Sequence, residues 1–147
     1  MGTSSGSSTK QNSGLTMHDP VTGLANREFL DIRLDFIISD TKANKEPLAL
    51  VRLRLEHEKQ LKKSVYKEIA QILKRQTRLS DFLARYDDNE FVIVLTNVDQ
   101  SLADEIVDRL KTFIEDETGI AASIGMALYR EGLHGKDLLE QAEKALS

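Results

Sequence analysis

From Arg27 onward, apolar residues recur first with a helical period, then with a strand period, and the alternation continues to the end of the chain. Phe29, Leu30, Leu34, Ile37 and Ile38 are spaced for one face of a helix over 27–39, and Asn26 just before them is a suitable N-cap. Pro47 then introduces Leu48 to Leu55, where Val51, Leu53 and Leu55 alternate with Arg52 and Arg54, the period of a strand with one apolar face. Val65, Ile69, Ile72, Leu73 and Leu79 predict a second amphipathic helix over 63–79.

Two short apolar runs, Phe82 to Tyr86 and Glu90 to Leu95, flank the turn-forming Asp87, Asp88 and Asn89, and together read as a β-hairpin. Leu102, Ile106, Leu110, Phe113 and Ile114 mark a third helix, with Ser101 as its cap and Asp104 and Glu105 in its first turn. A strand over 120–129 and a helix over 138–146 complete the pattern. The order helix, strand, helix, hairpin, helix, strand, helix implies an α+β fold of the split βαβ, ferredoxin-like kind, with a mostly antiparallel sheet flanked by helices.

The bulk properties narrow this picture. A chain of 147 residues with 40% hydrophobic content suits one domain with one ordinary core. The absence of cysteine removes thiol catalysis, cysteine-ligated metal and disulfides. A net charge of −4 argues against a surface built to attract nucleic acid, so an anionic ligand would have to be met by local arginines. No apolar run is long enough to insert in a membrane, and the expected location is cytoplasmic. Residues 1–14, almost all small and polar, read as a flexible linker or tag, leaving 15–147 as the domain. His18, His57 and His134 lack metal-ligand spacing and read as surface groups.

Four segments are more specific: His18-Asp-Pro-Val-Thr-Gly-Leu-Ala-Asn-Arg27, Arg85-Tyr-Asp-Asp-Asn-Glu-Phe91, Ala122-Ser-Ile-Gly-Met-Ala127 and Leu138-Leu-Glu-Gln-Ala-Glu-Lys-Ala-Leu146. In this order and spacing they resemble the GGDEF family of diguanylate cyclases, bacterial domains with a palm-like nucleotidyl cyclase fold that join two GTP into cyclic di-GMP. The resemblance implies that Asp19 and Arg27 close a wide turn as an ion pair.

The resemblance also implies what has been lost. The family's metal-binding Asp at the end of the first strand corresponds to Arg54, and a cation cannot ligate a metal ion. The signature G-G-[DE]-E-F reads Asp87-Asp88-Asn89-Glu90-Phe91, with carboxylates for both glycines and an amide for the metal carboxylate. Lys62 stands at the guanine-binding Asn position, and the loop ahead of the second helix is about eight residues short. A degenerate domain that makes no cyclic di-GMP is expected, with no metal or other cofactor.

One family feature is kept. The R-x-x-D product-binding motif is present as Arg78-Leu-Ser-Asp81, in family register, and Arg109 falls where a second arginine completes that site. Arginine's planar fork suits the N7 and O6 edge of guanine, and a carboxylate suits its N1 and N2 hydrogens. Two functions stay open on these residues: a cyclic di-GMP receptor in bacterial signalling and biofilm control, or a ligand-free interaction or homodimerisation module beside a phosphodiesterase or sensor domain.

Overall fold

A computed structural model describes residues 16–147, so the linker expected over 1–14 lies outside the described residues. Eight elements follow in the expected order: α1 (Arg27–Asn44), β1 (Leu48–Leu55), α2 (Lys63–Gln76), β2 (Phe82–Asp87), β3 (Glu90–Thr96), α3 (Gln100–Thr118), β4 (Ala122–Leu128) and α4 (Gly135–Lys144). The four strands form one sheet in the order β2-β3-β1-β4, and its three pairings are all antiparallel.

Each helix end has a local cause. The Asn26 side chain accepts the Phe29 N–H at 2.9 Å, and Lys45 closes α1 in the left-handed region, φ 56°. The helix thus runs five residues past the expected end. Asp99 accepts the Leu102 N–H at 2.8 Å and caps α3 in place of Ser101, which lies inside the helix. A capping box between His134 and Asp137 starts α4 three residues earlier than the apolar spacing indicated. The second helix stops at Gln76, and Leu79, expected on its apolar face, is fully exposed on the turn that follows.

Two cores sandwich the sheet. Val51, Leu53, Phe91, Ile93 and Leu95 point toward α2 and α3, while Leu48, Leu50, Val92 and Val94 point toward α1 and α4. The second face of β1 is therefore covered too, and the one-faced strand read from the alternation is corrected. Leu48 and Leu50 open that face and Arg52, only 6% exposed, continues it. At β4 the last helix comes so near that a Cβ on Gly125 would lie 2.1 Å from the Ala142 carbonyl oxygen. Only glycine fits there.

Candidate functional site

The hairpin of β2 and β3 carries one end of the site. Its turn, Asp88 and Asn89, closes through a register shift between Arg85 and Asp87, and neither turn residue has a positive φ. Glycine's conformational freedom is therefore not needed, and two carboxylates and an amide are accommodated.

Glu90 begins β3, directly opposite Arg54 on β1. Its carboxylate accepts from Arg52 Nε through one oxygen, and from Arg54 Nε at 3.3 Å and Nη2 at 3.1 Å through the other. Arg52 also donates to the Leu139 carbonyl of α4 at 3.1 Å, and Arg54 reaches Glu143 of α4 at 3.4 Å. The side chains of Arg52 and Glu90 are each 7% exposed, whereas Arg54 is 42% exposed. Burial pulls the Arg54 pKa down, but Glu90 and then Glu143 outweigh it and hold the guanidinium above its ordinary value.

The polar atoms of Asn89 are taken up by protein partners. Its oxygen accepts from the Tyr66 hydroxyl, and its amide donates to the carbonyls of His57 at 3.0 Å and Lys59 at 3.4 Å, fastening the short loop ahead of α2. A divalent ion, which the family's chemistry requires, does not fit these residues. Glu90 is already neutralised by two guanidinium groups, and Asn89 offers its oxygen to a hydroxyl. What remains is an open cleft of about 330 Å³ bordered by Arg54, His57, Lys59, Asp87 and Asp88.

Arg85 and Asp19 buttress the hairpin from the other side. Asp19 accepts from the Thr22 amide and hydroxyl, both at 2.8 Å, and from Arg85 Nη1 at 3.3 Å. The ion pair expected between Asp19 and Arg27 is corrected: Arg27 donates to the Tyr86 hydroxyl at 2.9 Å and stacks on its ring at 4.1 Å. Arg85 wins because its strand runs beside the 18–25 turn, to which it is joined by the Ala25 to Ala84 bridge. Burial alone would raise the Asp19 pKa, yet the Thr22 and Arg85 hydrogen bonds prevail and hold it below the ordinary value.

The second end of the site is the turn between α2 and β2. Arg78 donates to Asp81 through Nη2 at 3.1 Å, Nε at 3.3 Å and its backbone N–H at 2.9 Å, and through Nη2 to the Thr96 carbonyl. Asp81 also accepts the Thr96 N–H at 3.2 Å, and its side chain is fully buried, while Arg78 is 46% exposed. Arg109 lies on the end of α2, donating to the Gln76 side-chain and backbone oxygens at 3.0 and 3.3 Å. Arg78 and Asp81 are thus directly joined, and Arg109 binds two residues upstream of Arg78 without a bond to either. The three histidines are exposed: His18 meets Phe29 edge-to-face, His57 contacts the Lys59 carbonyl, and His134 at the start of α4 donates its backbone N–H to Asp137 at 2.9 Å.

Sequence reading assigned Arg54 but left Arg52 without a role. The available signal was an arginine inside an otherwise apolar strand, which demands a buried counter-ion. Tyr66, Arg85 and the contacts of Asn89 were missed because their partners are 23 to 66 residues away.

Residues 16–147 match the family model described as diguanylate cyclase, GGDEF domain. Diguanylate cyclase DgcP of Pseudomonas aeruginosa is 28% identical over 87% of this chain, and diguanylate cyclase A of Treponema denticola 27% identical over 76%. The chain spans about a fifth and a third of those two proteins, 22% and 34% of their lengths. Among solved structures, a sensory box/GGDEF family protein from Caulobacter crescentus is 28% identical with a TM-score of 0.78, covering 89% of this chain and 96% of that one. The GGDEF domain of DgcB from Caulobacter crescentus, solved in complex with c-di-GMP, shares the fold at 22% identity and a TM-score of 0.81, covering 95% of this chain and 89% of that one.

Proposed function

The chain belongs to the GGDEF family, and we propose that it is a catalytically inactive member that works by binding, as a cyclic di-GMP receptor in bacterial signalling. The observation that carries inactivity is the contact of Arg54 and Arg52 with Glu90. Phosphoryl transfer between two triphosphates needs divalent charge at carboxylates facing the phosphates. Here fixed guanidinium groups occupy the carboxylate, and the amide of Asn89 holds a loop instead of an ion. Asp87 and Asp88, both exposed at the cleft, would repel a triphosphate.

Receptor function rests on the turn at Arg78. Asp81 holds Arg78 from the buried side, a preorganised fork whose Nη1 makes none of those bonds and whose side chain is half exposed toward solvent. That nitrogen is free to donate to O6 or N7 on the Hoogsteen edge of guanine. Arg109, exposed on α3, supplies a second cation for a phosphate or a stacked base.

A second reading has an observation of its own. The Asp81 carboxylate is spent on Arg78 and Thr96, so it offers nothing to the N1 and N2 hydrogens of guanine in this arrangement. That favours a domain kept as a ligand-free interaction module within a larger signalling protein. Calorimetric titration with cyclic di-GMP, beside GTP with magnesium, separates the readings. Micromolar binding of cyclic di-GMP alone, lost in Arg78→Ala, is the expected result; silence from both nucleotides would leave the interaction module, and GTP turnover would overturn inactivity.

A further inference from the structure

Helix α1 carries an inner and an outer row of side chains at the same four-three-four spacing. The inner one, Leu30, Leu34, Ile37 and Thr41, is buried against the sheet and α4. The outer one, Ile32, Phe36, Ser39 and Ala43, repeats at spacings of four, three and four, so its members fall within an arc of about 60°. All four are exposed, Ile32 by 50% and Phe36 by 62%. Ile32 and Phe36 lie one turn apart on this outward face and small residues continue the row, a shape suited to a partner helix.

The charges beside this seam are also unspent. Asp31, Asp35 and Lys42 flank one side, and Arg33 and Asp40 the other. All five are exposed, and none forms an ion pair with the described residues.

We propose that this face docks a second copy of the chain, with the two α1 helices antiparallel across a two-fold axis. With the axis between residues 37 and 38, Ile32 meets Ala43 of the second copy and Phe36 meets its Ser39. Large side chains then lie over small ones along the whole seam, allowing a close approach of the helix axes. A parallel pairing would set Phe36 on Phe36 and leave Ser39 and Ala43 facing a gap.

The flanks agree with the same register. Lys42 of the second copy falls between Asp31 and Asp35, and Arg33 falls beside its Asp40, each contact occurring twice by symmetry. Opposite charges meet on both sides of the seam. Twelve residues of helix extend only about 18 Å, too short a seam to bury the area of about 1,600 Å² that a standard interface covers. The dimer is therefore weak and concentration-dependent.

Sedimentation of the whole chain from about 10 µM to about 1 mM tests the pairing, since association follows mass action. The expected result is a mass rising toward the dimer, with Phe36→Glu remaining monomeric across the range and unchanged in helicity. Arg33→Asp should weaken association about ten-fold by facing Asp40, and Arg33→Asp combined with Asp40→Arg should restore it. The chain has no cysteine, so Ile32→Cys and Ala43→Cys report the register. A mixture of the two variants should oxidise to a disulfide dimer faster than either alone. A monomer at every concentration, undiminished association of Phe36→Glu, or faster crosslinking of Ile32→Cys with itself would overturn the proposal, the first leaving the face to a different protein.

Discussion

Two arginine–carboxylate clusters stand at opposite ends of the hairpin, alike in chemistry and unlike in surroundings. Around Glu90 the Arg52–Glu90 pair is almost wholly buried between the sheet and α4, with Arg54 closing it on the solvent side. Around Asp81 only the carboxylate is buried, and Arg78 lies half in water. Desolvation makes the Arg52–Glu90 pair an all-or-none arrangement, since either member left alone is an uncompensated buried charge. Water softens the second, so Arg78 stays available to something arriving from outside.

The sharpest way to break this contrast is Glu90→Gln. It strands Arg52 in the sheet and should cost about 3 to 5 kcal/mol in urea unfolding. Replacing the buried pair together, Arg52→Met with Glu90→Leu, should return most of that loss; a double variant as unstable as the single one would mean that the ions hold the fold by more than mutual compensation. Next in size is Gly125→Ala, which forces α4 off β4 and should cost about 2 to 4 kcal/mol, read as a lower midpoint of thermal unfolding.

Asp19→Asn tests an intermediate degree of burial and should cost about 1 to 2 kcal/mol at neutral pH. Because folding lowers the Asp19 pKa, its contribution is complete above the ordinary carboxylate value and fades as pH falls through the folded one. The gap between wild type and Asp19→Asn should therefore narrow below about pH 4; a gap that persists into acid would show that the charge is not the source. The smallest effect belongs to Arg78→Ala, about 1 kcal/mol or less in the same unfolding assay. A loss as large as that of Glu90→Gln would abolish the distinction.

Element type was legible because each segment repeats its apolar period over several turns or alternations, so Leu48–Leu55 was placed to the residue. The errors lie at ends and in long-range pairs. Leu79 continues the helical spacing of α2, yet the turn closed by Arg78 and Asp81 stops the helix three residues before it. Ser101 was the nearer capping residue, but Asp99 lies at the position where the backbone is still extended. In the site, Arg54 and Asn89 were readable one residue at a time. Their consequence was not, because Glu90 meets Arg52 only through the pairing of β1 with β3 and Arg85 meets Asp19 across 66 residues.

The register of Arg54 against Glu90 bears on how such a domain could change again. Placing an acid at residue 54 would set two carboxylates side by side with only Arg52 between them, and placing one at residue 89 would cut the loop free from its amide clamp. Each change, taken alone, passes through a less stable protein. The guanidinium at residue 54 thus acts as a latch: no single exchange opens it without cost, and an acidic site there asks for several changes at once.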